Sequence, residues 1–310
     1  MSKKPFLGFV LLTHEKPAQI LRLIERLNFM FDDPPIACHH DFSKCELPLD
    51  EIPQNVSFVK QYVETAWGDW SLVDATLKGI DILYSRDDAP EWFILLSGRD
   101  YPIKPADQII KDIKDSDCDA HMSVLKLVES ELESEIEKRA FKKYHKLEFR
   151  YPSLIHLLQS IRFLKWWRKD IYLKRSMFTE WVIPFSNEFN CFYGSQWFYA
   201  NQKAASEILK FYKSDFRVQF YYKRVHAPDE SYFHTVLGNC KELKVCNKNW
   251  RHVNWAPGSS HPIELSMDDL ETLIQSDDHF ARKFNMDKYP EILDRLDEHI
   301  GYVDKTRARN

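Results

Sequence analysis

Glycine is scarce, 8 of 310 residues, well below the ~7% typical of proteins. No G-x-G-x-x-G and no G-x-x-x-x-G-K-[ST] string occurs, so no glycine-rich loop cradles any phosphate this protein handles. No apolar run approaches the ~18 residues that span a bilayer. The longest, Phe6 to Leu12, is strand-sized and lacks a signal-peptide cleavage pattern. These absences predict a cytosolic protein. The six cysteines (Cys38, Cys45, Cys118, Cys191, Cys240, Cys246) include no C-x-x-C pair, which predicts free thiols rather than a disulfide framework or a zinc site. Disorder, collagen and coiled coil are excluded by 44% hydrophobic and 29% charged residues. With 14% aromatics there is ample apolar area for a core. One α/β domain over residues 1–304 with a short tail at 305–310 is expected.

The first 125 residues alternate strand-like and helix-like patterns, as in a Rossmann-like open sheet. Phe6 to Leu12 reads as a buried strand. Lys16 to Met30 reads as a helix, with Ile20, Leu23, Ile24 and Leu27 at helical spacing and Pro17 in the first turn. Strands are predicted at 36–39, 56–59, 92–96 and 120–125, and helices at 71–84 and 105–114. Such sheets place their chemistry beyond the C-terminal ends of strands, where His14, Asp41 and Asp100 fall. Further on, a strand is predicted near 189–193, helices at 202–213, 229–237, 268–275 and 290–300, and short strands near Leu243 and His252. No internal repeat is present.

The net charge of -4 is an average over two unlike parts. From Lys138 to Arg175 twelve Lys/Arg face two acids, about +10 against about -14 for the rest. Leu154, Leu157, Leu158, Ile161 and Leu164 recur there at helical spacing, and Trp166 and Trp167 lie among Lys165, Arg168 and Lys169. A basic amphipathic insertion over about 130–185 is the prediction. It reads as a solvated helical face or as a surface that docks on anionic lipid or an acceptor. Indoles prefer the headgroup region and each cation adds about 1 kcal/mol near anionic lipid, which predicts a peripheral position on the inner face of the membrane. Nucleic acid is not an expected partner.

Five strings, FVLLTHEKP (9–17), AWGDWSLVDA (66–75), FILLSGRDYPIK (93–104), GSQWFYANQKA (194–204) with APDESYF (227–233), and WRHVNW (250–255) with DDHFARKF (277–284), together resemble the core-2/I-branching glycosyltransferase family, which includes peptide O-xylosyltransferases. Order and spacing agree over about residues 6–300. The resemblance implies a GT-A type fold, with a mixed central sheet flanked by helices. It also implies inverting transfer from a UDP-sugar, GlcNAc by family precedent or xylose, to a glycan, lipid-linked or peptide acceptor. No cofactor and no divalent metal is expected. A non-catalytic relative that binds glycan or membrane is the alternative from a different class.

Glu230 lies after Pro228 with Asp229 as candidate N-cap of a helix. By residue type alone it could simply favour the helix dipole, worth about 0.3–1 kcal/mol. Matched to the family motif, it falls on the catalytic base. The resemblance assigns Arg251 and Lys283 to the diphosphate, with Arg282 as the adjacent alternative; Arg suits bidentate phosphate contact and Lys a compact charge. It places Thr13, His14 and Asp41 near the uridine, and Trp67 and Gly68 along the donor pocket. Where a metal-binding D-x-D would follow the buried strand, SGRD supplies only Asp100. His39 and His40 alternate to opposite faces and cannot easily share an ion.

Overall fold

A computed structural model describes residues 4–145, 183–256 and 261–302. In chain order the elements are β1 (Leu7–Thr13), α1 (Pro17–Phe31), β2 (Ile36–His40), β3 (Val56–Phe58), α2 (Ser71–Tyr84), β4 (Trp92–Ser97), β5 (Asp100–Pro102), α3 (Ala106–Lys114), β6 (Ala120–Lys126) and α4 (Glu135–His145). Then come β7 (Phe192–Asn201), α5 (Gln202–Ser214), α6 (Phe216–Tyr222), α7 (Tyr232–Gly238), β8 (Val245–Asn247), β9 (Arg251–Val253), α8 (Leu270–Gln275), β10 (Phe280–Arg282) and α9 (Pro290–His299).

The central sheet has seven strands in the order β3-β2-β1-β4-β7-β6-β8. Its first four are parallel, β7 runs antiparallel to both neighbours, and β8 is parallel to β6. Strand β1 is apolar from Leu7 to Leu12 because both of its faces are covered. Phe9 and Leu11 pack with Leu23 and Leu27 of α1, Ile109 of α3 and Ile292 of α9. Val10 and Leu12 pack on the other side with Val73 and Leu77 of α2, Ile208 of α5 and Phe233 of α7. Helix α1 starts with Pro17 and stops at Asp32, whose left-handed backbone lets its N–H reach Asn28 O. The result is the mixed α/β sheet flanked by helices expected of a GT-A type chain.

Two features position the site. A second sheet, β5-β10-β9, sets Asp100 opposite Arg282 and Phe280 opposite Arg251. The β6–β7 pairing slips between Met122 and Val124, a bulge in which Ser195 to Trp197 of β7 stand opposite the single residue Ser123. Bulges re-aim side chains beside functional sites, and here Trp197 lies 4.4 Å under the Arg282 guanidinium.

Several expectations are corrected. The helix expected over 229–237 is a 3-10 turn, Pro228–Glu230, followed by α7, with a break at Ser231. Asp229 is no N-cap, since left-handed Ala227 holds that place. The strand expected at 189–193 begins at Phe192 and runs to Asn201. Cys118 and Cys246, expected as free thiols, are joined by a disulfide. The parallel pairing of β6 with β8, in which His121 faces Cys246, brings these sulfurs together across 128 residues, which no local spacing reveals. Most of the basic insertion, including Lys165, Trp166, Trp167, Arg168 and Lys169, and the 305–310 tail lie outside the described residues.

Candidate active site

The turn that carries Glu230 is fixed at both ends. On one side Ala227 N donates to Gly68 O at 2.8 Å, and Tyr144 OH donates to Ala227 O at 2.7 Å. On the other, Ser231 Oγ donates to Phe192 O on β7 at 2.6 Å. Gly68 has φ +71°, and a Cβ there would lie 2.7 Å from His226 Nδ1, so glycine is required for this close approach. Trp67 meets the same histidine ring edge-on at 5.1 Å. The predicted Trp67, Gly68 and Glu230 are thus brought into one structural unit.

The Glu230 side chain is 33% exposed, and Lys143 Nζ donates to its Oε2 at 2.8 Å. Oε1 has no hydrogen-bond partner among the described residues. Beside it, burial and then the Glu230 charge raise the Asp229 carboxyl to about 7, and Asp229 Oδ1 has no hydrogen-bond partner among the described residues. Lys143 escaped the sequence reading because it was counted within the basic insertion; α4 folds it back against the Glu230 turn.

A cationic group gathers where β1 and β4 end. Arg99 is engaged twice, by Glu15 at 2.9 Å and Glu264 at 2.6 Å. Arg251 is fully buried: its side chain has no exposure, pairs with Asp100, and donates to Leu95 O at 3.1 Å. The side chain expected in a partly enclosed position on the diphosphate is thus fully enclosed, its two terminal nitrogens taken by Asp100 and Leu95 O while its Nε has no hydrogen-bond partner among the described residues. Arg282, the adjacent alternative, has an Nε with no hydrogen-bond partner among the described residues and stands 3.9 Å from Asp100 Oδ1. Burial lowers its pKa, Asp100 opposes the shift, and Arg251 and Arg99 reinforce it. Lys283 is half-buried and forms no ion pair among the described residues; burial and then Arg99 lower its pKa. Within this group, Arg282 and Lys283 are the cations that no carboxylate holds at hydrogen-bond distance among the described residues.

The residues expected near the uridine divide by exposure. His14 is exposed. Asp41 is fully buried and accepts from Ser43 N and Oγ at 3.2 and 2.6 Å and from Thr65 N and Oγ1 at 2.7 and 2.8 Å. Burial opposes its charge, yet these bonds outweigh burial and hold its pKa well below the ordinary range. Its carboxylate is saturated, so it positions the 62–66 segment that leads into Trp67 instead of touching a ligand. Thr13 Oγ1 is engaged by His40 Nδ1 at 2.8 Å, and His39 Nε2 accepts from Val63 N at 2.9 Å. Asp100 is a buried counterion. Trp67 is 67% exposed and Trp255 54% exposed. His261 stands 6.0 Å from Trp67, and the neighbouring Pro262 is bridged to Trp255.

The sequence model for the core-2/I-branching enzyme matches residues 9–273. The chain is similar to beta-glucuronosyltransferase GlcAT14B of Arabidopsis thaliana, 26% identical over 80% of this chain and 52% of that protein. GlcAT14A from the same plant is 24% identical over 79% of this chain and 51% of its own length. Xylosyltransferase 1 of Rattus norvegicus is 25% identical over 79% of this chain and 29% of its own length. The chain thus spans about half the length of the plant relatives and less of the rat protein.

Proposed function

Since this chain belongs to the core-2/I-branching enzyme family, we propose that it is an inverting glycosyltransferase that moves a sugar from a UDP-sugar to an acceptor hydroxyl, with Glu230 as general base. The observation that carries the reading is Glu230 itself: a carboxylate on a turn pinned at Gly68, Tyr144 and Phe192, with one oxygen held by Lys143 and the other without a hydrogen-bond partner among the described residues. A general base needs that fixed, partly exposed placement to take a proton at hydrogen-bond distance.

Transfer is a single displacement. Glu230 Oε1 accepts the hydroxyl proton, the acceptor oxygen bonds to the anomeric carbon, and the bond from that carbon to the diphosphate oxygen breaks with its electrons leaving on UDP. Arg282 and Lys283 are the groups proposed to stabilise the charge on the departing diphosphate, since fixed cations in a partly enclosed site act strongly on developing charge. Activity without a divalent cation is part of the proposal. The exposed indoles Trp67 and Trp255 offer flat apolar faces to a glycan. GlcNAc is the sugar expected from the family resemblance, and the relatives' names add glucuronate and xylose to the donors to compare. A basic insertion that docks the enzyme on the cytosolic face of an anionic membrane belongs to the same proposal, and binding to anionic against neutral vesicles checks it.

Glu230→Gln should lower transfer by about 10²–10⁴-fold while UDP binding, followed by calorimetry, stays near wild type. Wild-type turnover in the variant would remove Glu230 from the mechanism. Loss of activity in EDTA with rescue by Mn²⁺ would remove the metal-free step. A panel of UDP-sugars identifies the donor.

A further inference from the structure

We propose that Cys118, Cys246 and His121 form a redox-gated cation site, separate from the transfer site, that takes up one zinc-class divalent ion once the Cys118–Cys246 disulfide is reduced by a dithiol. The two sulfurs and a ring nitrogen of His121 all lie within 4.8 Å of one another. They meet because Cys118 lies two residues before β6, where His121 sits, and Cys246 is the residue paired with His121 on β8. Tetrahedral zinc with ~2.3 Å bonds to sulfur needs its two sulfurs ~3.8 Å apart, so after reduction the bonded pair has only to part to that separation.

His121 supplies the second, independent observation. It is 3% exposed and one of its ring nitrogens, Nδ1, has no hydrogen-bond partner among the described residues. Leaving a buried polar atom unpaired is costly. The other nitrogen, Nε2, is engaged by Ser116 Oγ at 2.8 Å. One ring nitrogen held by a neighbour and the other free is the pattern of a ligating imidazole, whose outer partner fixes ring orientation. Trp250 closes the site with its ring centroid 4.1 Å from His121. Cysteine thiolates and imidazole together select zinc-like ions over magnesium or calcium.

The chemistry balances as follows. The dithiol gives two electrons and two protons to the S–S bond, yielding two thiols and a cyclic disulfide of the reductant. Metal uptake then releases both thiol protons and forms two metal–sulfur bonds and one metal–nitrogen bond. Two thiolates offset the charge of the dication, and the fourth position is open to water. In a reducing cytosol, where disulfides seldom persist, the metal would take over the tie between β6 and β8 that the disulfide makes.

The test uses the full chain, reduced with a dithiol, freed of it by gel filtration without air, and titrated with Co²⁺ as a spectroscopic stand-in for zinc. The expected result is one Co²⁺ per chain, with thiolate charge-transfer and tetrahedral visible bands that Zn²⁺ abolishes. The unreduced chain should bind none. It is a folded control that keeps Cys38, Cys45, Cys191 and Cys240 as thiols and lacks only this pair. Cys118→Ser should lose the charge-transfer band, and His121→Gln should weaken binding while both thiolates remain. The proposal is overturned if the reduced chain binds no Co²⁺, or binds it identically before reduction or after Cys118→Ser.

Discussion

Replacing Arg251 with Met separates a structural joint from a phosphate ligand. Arg251 and Asp100 both have side chains with no exposure. Asp100 otherwise receives Ser97 N at 2.6 Å and the Ser97 hydroxyl, with Arg282 Nε no nearer than 3.9 Å. Removing the guanidinium leaves a carboxylate in the interior short of its main cation, and breaking such a pair costs about 3–5 kcal/mol. At about 2.1 cal/mol/K of unfolding entropy per residue, a chain of 310 residues has an unfolding entropy near 0.65 kcal/mol/K. The melting midpoint should then fall by roughly 5–8 °C. Asp100→Asn combined with Arg251→Met should cost less than the two single changes summed, because the uncompensated charge is gone. Urea or thermal unfolding gives the stability, and calorimetric titration with UDP, at a temperature where every variant is folded, gives the ligand affinity. The expected pattern is lower stability with UDP affinity close to wild type, and the reverse pattern for Arg282→Ala. An Arg251→Met protein that melts like wild type but no longer binds UDP would refute this reasoning and restore Arg251 to the donor site.

Asp229 makes stability depend on pH. Its folded pKa is raised to about 7 from 3.8, by burial first and then by Glu230, so its contribution is fully present below about 3.8 and is lost as pH rises through about 7. Asp229→Asn, which cannot ionise, should gain stability relative to wild type between pH 4 and pH 7; parallel urea midpoints for the two proteins across that range would count against it. Gly68→Ala puts a Cβ 2.7 Å from His226 Nδ1 at φ +71°, a strain of about 1–3 kcal/mol borne by the turn that holds Ala227. Transfer should drop and His226→Ala should recover part of it, whereas unchanged kinetics in Gly68→Ala would show that the loop does not position Glu230.

The first half of the fold was legible because its signals are local. The apolar run of β1, the helical spacing of Ile20, Leu23, Ile24 and Leu27, and the run into β4 each declare an element within a dozen residues. Strands β5 and β10 were not legible, since each has three residues and their pairing joins Asp100 to Arg282, a relation absent from any window. In the site, Glu230, Trp67 and Gly68 could be read from their motifs, and the hydrogen bond from Ala227 to Gly68 shows why those motifs belong together. For Arg251, the neighbours Trp250 and Trp255 imply enclosure, but they do not tell which way the guanidinium faces, and the pairing with Asp100 lies 151 residues away. Lys143 was hidden in a charge run that reads as a single basic insertion. The Asp229 helix failed because left-handed Ala227 and the Ser231 bond to Phe192 O both interrupt it.

The small second sheet also has a consequence for how the protein is made. Asp100 emerges from the ribosome early, but its counterion Arg251 follows 151 residues later, and Arg282 later still. At about 5–20 residues per second, the nascent β1–β4 half waits roughly 8–30 s with an acid destined for the interior and no cation to accompany it. Until then Asp100 has reason to stay hydrated, which keeps the end of β4 open. Closure of the donor side is therefore tied to late synthesis, and a nascent chain halted before Arg251 should hold the first four strands without a sealed site.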